Sequence, residues 1–265
     1  MKLKPLHDPS HGMLRVVGLM SGSGSNLRKI LEWVHELKKE RGEFVYNVVA
    51  IFSDSSDSKA CHIGKDFDVP IVIRDIRGFY AKRGKSIRDL KVREEFDRET
   101  IKALAPFKAK VAAYAGYMSI ATKPLVEGFL GVNVHPADLS VEVGGMRKYV
   151  GAQAVQDAIL AGESSLRSTT HIIESQIDGG PLLMISPPLP VNPKDSLDPN
   201  KPEMIRSIVN HYQERLKEAG DWIIFPRTLQ YLAEGRYARD EGGRLFFDGQ
   251  PIPCGLKLDQ IDYFG

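Results

Sequence analysis

The chain is poor in cysteine and tryptophan and carries almost no charge excess. Its 265 residues include two cysteines, Cys61 and Cys254, far apart and without a Cys-x-x-Cys partner. That excludes a disulfide framework and a zinc ribbon. Lys plus Arg (36) nearly balance Asp plus Glu (34) for a net charge of +2, which leaves no footprint for bulk nucleic-acid binding. No stretch approaches the ~18 uninterrupted apolar residues of a membrane span. The N-terminal MKLKPLHDPSHG holds proline and glycine where a signal peptide needs an apolar run. The expectation is a cytoplasmic soluble protein with no nucleic-acid or membrane partner. What is present is ordinary: 42% hydrophobic and 26% charged residues, enough to build a core that needs no staples.

Hydrophobic period organises the first half. Leu14–Met20 is a β-branched run ending in the turn cluster Ser21 to Ser25. Leu27, Ile30, Leu31 and Val34 then follow the i, i+3, i+4, i+7 rule of a helix whose charged face runs through Arg41. Tyr46–Phe52 and Ile71–Arg74 read as strands, with Ser58 capping a short helix to about Phe67 between them. A basic stretch to Leu90 leads into a helix over Val92–Leu104, and Val111–Ala115 and Gly131–Val134 complete the strands. Alternating strands and helices predict an α/β fold, a Rossmann-like, mostly parallel sheet with helices on both faces.

The second half is less regular. A helix face at Ala152, Val155, Ala158 and Ile159 precedes strands around Ser168–Glu174 and Leu182–Ser186. Pro187 to Pro190 and the polar run to Pro202 read as a loop, because proline sustains neither ladder. Helices over Met204–Glu218 and Asp221–Glu234 and a hairpin at Arg244–Phe247 with an Asp248-Gly249 turn close the chain. No Gly/Ser-rich linker separates the halves, so residues 1–265 are read as one domain.

Three clusters carry chemistry. Gly22-Ser23-Gly24-Ser25-Asn26 joins a strand to a helix. Glycines admit a ligand close to the backbone, and the first amides of a helix favour an anion. A dinucleotide fingerprint needs glycine where Leu27 stands, and a Walker loop needs Gly-Lys-Ser/Thr, so the turn suits a phosphate-bearing small molecule better than NAD or ATP. The same spelling also serves a tight strand-to-helix turn. Asn133 and His135 end an apolar strand, the end where open parallel sheets bind ligands. An amide donor and an imidazole there suit oxyanion stabilisation and proton transfer; a histidine bonded to local backbone is the plain alternative. Ile177-Asp178-Gly179-Gly180-Pro181 is a turn whose carboxylate, beside the histidine, would raise its pKa and orient it. Chain reversal alone would use the same residues.

Taken together, the pieces MSGSGSNLRKIL, AYAGYM, GVNVHP, KYVGAQAVQDAI, THIIESQIDGGP, FPRTLQYLAEGR and DGQPIP, in this order, resemble the folate-dependent formyltransferases, nearest to the phosphoribosylglycinamide branch. The resemblance implies a single formyltransferase-like domain with insertions near 75–90 and 137–147. It implies catalytic roles for Asn133, His135 and Asp178, with His171 standing behind them. Gly22, Ser23, Gly24, Ser25 and Asn26 would hold a substrate phosphate. Arg93, Met118, Ser119, Ile120, Ile177, Gly179 and Gly180 would meet the folate, and Asp221 the substrate ribose. The formyl donor would be 10-formyltetrahydrofolate and the acceptor the primary amine of glycinamide ribonucleotide, both small molecules, with no metal; a homodimer is compatible with the family. The chemistry pictured is direct attack, with protonated His135 and Asn133 on the oxyanion.

Departures bear on the acceptor. Ser23 replaces the family's usual asparagine, Ser119 a basic residue, and the stretch from His135 to Gly151 is longer than the family's. Its glycines suit a lid or a reshaped acceptor pocket. The basic residues Arg74, Arg77, Lys82, Arg83, Lys85 and Arg88 would either meet an acidic folate tail or a phosphate, or form a solvated face. Alternatives are formylation of an amino sugar or methionyl-tRNA, hydrolysis of the formyl-folate, and a folate- or phosphate-binding module without turnover.

Overall fold

The computed structural model describes residues 2–192 and 202–263; the polar run assigned to a loop falls largely outside them. Contacts divide the chain into two compact units. His7–Asn133 with Ile173–Ser175 form the first, and Val134–Ile172 with the chain from Gln176 onward and the residues before His7 form the second. Among the described residues no helix is long and apolar enough to cross a membrane.

The first unit contains β1 (Leu14–Met20), α1 (Ser25–Arg41), β2 (Tyr46–Ser53), α2 (Ala60–Phe67), β3 (Ile71–Ile73), α3 (Ile76–Ala81), α4 (Leu90–Leu104), β4 (Val111–Tyr114), α5 (Lys123–Gly128) and the start of β5 (Leu130–His135). Its strands pair in parallel in the order β5-β4-β1-β2-β3. β1 is central and almost wholly buried, which is why it reads as a continuous apolar run rather than an alternating one. α1 buries Leu27, Ile30, Leu31, Val34 and Leu37, the face that the sequence period marks. Gly18 permits the close approach of this helix, since a Cβ there would lie 2.3 Å from Leu27 Cδ1. Val17, Leu19, Phe52, Phe96, Tyr114 and Leu125 belong to one buried cluster.

All five strands run the same way, so their carboxyl ends share one edge. The chain leaves β1 toward β2 on one side and pairs with β4 on the other, a reversal of strand order of the kind that opens a ligand crevice. The loops after β1 and β4 meet there: Ser21 N donates to Gly116 O at 3.0 Å, and Met118 N donates to Ser21 Oγ at 2.9 Å.

The second unit holds a hairpin, β6 (Glu142–Val143) and β7 (Met146–Arg147), then α6 (Ala154–Leu160), β8 (Ser165–Leu166), β9 (Thr169–Ile172), β10 (Leu182–Ile185) and β11 (Leu189–Pro190). Helices α7 (Pro202–Leu216) and α8 (Trp222–Ala233) follow, then β12 (Tyr237–Arg239), β13 (Leu245–Phe247), β14 (Gln250–Pro251) and β15 (Leu256–Lys257). β9 and β10 pair antiparallel, and β10 runs parallel to β15. Lys4–Pro5 adds to β12, whose partner β13 turns through Asp248-Gly249 into β14. Between α7 and α8 the residues Lys217–Asp221 form a wide π-helical turn.

The structure corrects three local readings. Leu189–Pro190 is not loop but a short edge pairing with β8; the missing proline N–H is tolerated where no further strand follows. The basic stretch after β3 contains α3, capped by the Asp75 carboxylate on the amides of Arg77 and Gly78. Its six residues are too few for a visible period. The strand expected over Ser168–Glu174 is shorter, with a register shift between Thr170 and His171.

Candidate active site

In the second unit the chain brings His135, Asp178 and His171 together. His135 is the last residue of β5 and 5% exposed. Asp178 lies in the turn after β9 with φ +50°, a left-handed conformation uncommon for any residue but glycine. Its Oδ2 is 3.5 Å from His135 Nδ1, and its Oδ1 is 3.4 Å from His171 Nε2. Gly151 N donates to Asp178 Oδ2 at 2.8 Å. The second nitrogen of each imidazole also meets an acceptor: His135 Nε2 lies 3.0 Å from Tyr149 O, and His171 Nδ1 lies 3.0 Å from Ile172 O.

Burial pushes the Asp178 carboxyl upward, yet the His171 hydrogen bond, the His135 ring and the Gly151 amide outweigh it, and the pKa falls to about 2. The carboxylate is therefore charged throughout the physiological range. For His135 the balance goes the other way. Burial lowers its pKa more than the Asp178 charge and the Tyr149 carbonyl raise it. This corrects the expectation that the neighbouring carboxylate holds the ring protonated: in so buried a position desolvation of the cation dominates. The resting imidazole is neutral near pH 7. It has one N–H for two acceptors, so it gains a hydrogen bond by taking up a proton.

Arg147, at the end of β7, donates from Nη1 to Asp178 O and from Nη2, at 2.8 Å, to Gly180 O. Sequence reasoning missed this contact, and the roles of Tyr149 O and Gly151 N. Backbone atoms leave no residue signature, and a lone arginine beside a Gly-Gly turn has none either. Ile177 projects into solvent next to this turn, while Gly179 closes it by donating to Gln176 O at 3.1 Å. Asp221 belongs to another cluster of this unit, where Ser168 Oγ donates to its Oδ1 at 2.6 Å.

In the first unit, Gly22 to Asn26 form the turn from β1 into α1. Gly24 is the residue before the helix, at φ +66°, with no side-chain cap. The opening turn of a helix carries amides that the helix itself does not bond. Gly22 and Ser23 are exposed, and Gly22 O is anchored by Lys59 N at 3.0 Å. A Cβ on Gly24 would sit 2.6 Å from Ile63 Cδ1 and 2.7 Å from Met20 Cε, whereas one on Gly22 would meet nothing. Gly24→Ala should thus cost about 1–3 kcal/mol, and Gly22→Ala less than about 0.5 kcal/mol. Urea melts of the two variants check this difference.

The loop after β4 exposes Met118 and Ile120, and between them Ser119 Oγ donates to Asp54 Oδ2 at 2.5 Å. Arg93 is packed inside the unit instead of on its surface. Its Nη2 lies 2.6 Å from Tyr117 Oη and 3.0 Å from Asp97 Oδ1. Two residues of the basic insertion also turn inward to α4: Arg74 pairs with Glu99, and Arg83 with Glu95 at 3.1 Å.

The formyl transferase family model matches residues 14–204. Phosphoribosylglycinamide formyltransferase of Haemophilus influenzae is 24% identical over 243 residues, 91% of this chain and 97% of that protein. The protein of the same name from Escherichia coli is 25% identical over 242 residues, 91% of this chain and 96% of its own length. The solved structure of phosphoribosylglycinamide formyltransferase from Coxiella burnetii has a TM-score of 0.67 at 22% identity, covering 93% of this chain and 99% of that one. The fold is thus the α/β one expected, a mixed, mainly parallel sheet with helices, shared with those structures.

Proposed function

Since the chain belongs to the formyl transferase family, we propose that it transfers a formyl group from 10-formyltetrahydrofolate to the primary amine of glycinamide ribonucleotide, a step of purine biosynthesis. The observation that carries the proposal is the pairing of buried His135 with ionised Asp178. A neutral amine attacks the formyl carbon; the new C–N bond leaves an oxyanion on carbon and a proton too many on the amine. Neutral His135 accepts that proton on Nε2, which exchanges its contact with Tyr149 O for the substrate. The imidazolium so formed is held through Nδ1 by Asp178 while Nε2 faces the oxyanion. Residues two apart on a strand share a face, which supports Asn133, two before His135 on β5, as a second donor to the oxyanion. Collapse breaks the bond to the folate nitrogen, which takes the proton from His135. His171 holds the far oxygen of Asp178.

The other roles follow from the same reading. Gly22, Ser23, Gly24, Ser25 and Asn26 receive the ribonucleotide phosphate on the first amides of α1. In the first unit, exposed Met118 and Ile120 with Ser119 between them offer surface to the folate; in the second unit, exposed Ile177 with Gly179 and Gly180 of its own turn is read in the same role. The test is tetrahydrofolate release, followed by absorbance, from 10-formyltetrahydrofolate with and without glycinamide ribonucleotide. Release that requires the ribonucleotide supports the proposal. Release without it would make the chain a hydrolase. Bound folate with no release would transfer the proposal to a different amine, the reading that the hairpin inserted after His135 favours.

A further inference from the structure

The hairpin β6–β7 lies in the stretch that is longer than the formyltransferase pattern. It turns through Gly144 and Gly145, at φ +60° and +78°, and pairs Glu142 with Arg147 and Val143 with Met146. Two residue pairs do not hold a hairpin together in water, so its position depends on what anchors it. The anchor is Arg147. Its planar fork spans two carbonyls, Asp178 O and Gly180 O, one on each side of Gly179. The turn it grips is the one where Asp178 holds its left-handed φ, a conformation that persists only when surrounding contacts impose it. From Arg147 the chain continues to Tyr149 O on His135 and Gly151 N on Asp178. Residues 147–151 thus reach both members of the catalytic pair.

We infer that Arg147 is a positioning residue: it locks the 178–180 turn so that Asp178 faces both His135 and His171, and the inserted hairpin delivers it. The inference rests on the reaction proposed above for its kinetic test, but not for its structural one. The groups around the His135 ring are Asp178, His171, the Tyr149 carbonyl and Arg147 itself. The guanidinium charge is one of the influences that keep the ring neutral, so its removal also has a titration signature.

The experiment compares Arg147→Ala and Arg147→Lys with the wild type. Each is measured for kcat and KM in formyl transfer to glycinamide ribonucleotide, and for the His135 titration midpoint by NMR of the ring proton in the ligand-free protein. In Arg147→Ala, kcat should fall about 10- to 100-fold with KM changed less than about threefold, as for displaced catalytic groups. The His135 midpoint should rise, because a positive charge near the ring is lost. Arg147→Lys keeps the charge and hence the midpoint, but one ammonium cannot span two carbonyls, so kcat stays low. An Arg147→Ala kcat within about twofold of wild type overturns the inference. If that variant does not fold, a folded Arg147→Lys with wild-type kcat does the same. Should the wild type formylate no ribonucleotide, the proposed substrate fails, and the clamp is judged on the ligand-free protein alone. There, an unchanged His135 midpoint together with unchanged amide exchange at Gly179 and Gly180 overturns it.

Discussion

Replacing His135 by alanine should lower kcat for formyl transfer about a thousandfold, the order expected when a proton carrier in the transition state is lost. KM should change little, because the imidazole acts on the intermediate and not on the bound ground state. The effect is large because the ring has two tasks: it takes the amine's proton, and the cation so formed faces the oxyanion. His171 is not placed to take over, since its Nε2 lies on the other oxygen of Asp178 at 3.4 Å and its Nδ1 lies 3.0 Å from Ile172 O. His135→Asn is the informative companion, as it can still donate to Tyr149 O without carrying a proton. Both variants should be equally slow. A residual rate within about tenfold of wild type would remove His135 from the reaction. The pH profile carries the same message. Activity should fall on the acid side as the ring becomes protonated, at a midpoint below that of an ordinary histidine, because burial lowers the His135 pKa.

Asp178→Asn should cost about a hundredfold in kcat and also flatten the acid stability of the protein. Asparagine suits this test, being nearly isosteric and able to adopt a positive φ. The folded pKa of about 2 lies below the ordinary carboxyl value of 3.8. The group therefore contributes stability that is complete above the ordinary value and is lost as pH falls through about 2. The difference corresponds to about 2 kcal/mol. His135 acts in a separate window: its lowered pKa makes stability decline as pH falls below the ordinary imidazole value of 6.5. Denaturant titrations at several pH values separate the two. In Asp178→Asn the loss between about pH 4 and pH 2 should shrink, while the decline that begins near neutrality should remain. A wild-type slope preserved in the variant would mean that another carboxylate carries it.

The first unit was legible because its signals are local. Leu14–Met20 is strand over the span read from sequence, and the buried positions of α1 are those of the apolar period. The second unit depends on contacts between distant residues. Leu189–Pro190 pairs with Ser165–Leu166 despite its prolines, and no period announces a two-residue strand. The site divides in the same way. Residue types at strand ends drew attention to His135 and Asp178, which the fold brings to 3.5 Å. The ionisation of His135 was misread because burial, the larger influence, is a property of packing and not of the neighbouring residue. Arg93 shows the other limit: its place in a helix was legible, but no pattern in the sequence marks its enclosure with Tyr117 and Asp97.

The π-helical turn at Lys217–Asp221 sets the rotational phase of everything after it. One residue more or less in a helix rotates all later side chains by about 100°. Here the widened turn brings Gly220 so close to Ser168 that a Cβ would lie 2.5 Å from its Oγ, and it directs the Asp221 carboxylate onto that hydroxyl. Shortening the segment by one residue would regularise the helix locally. It would also swing Asp221 away from Ser168 and leave a buried hydroxyl without its acceptor. The irregular turn is thus the phase adjuster that lets two regular helices each keep a buried face, and single-residue deletions should be tolerated far less here than at a surface loop.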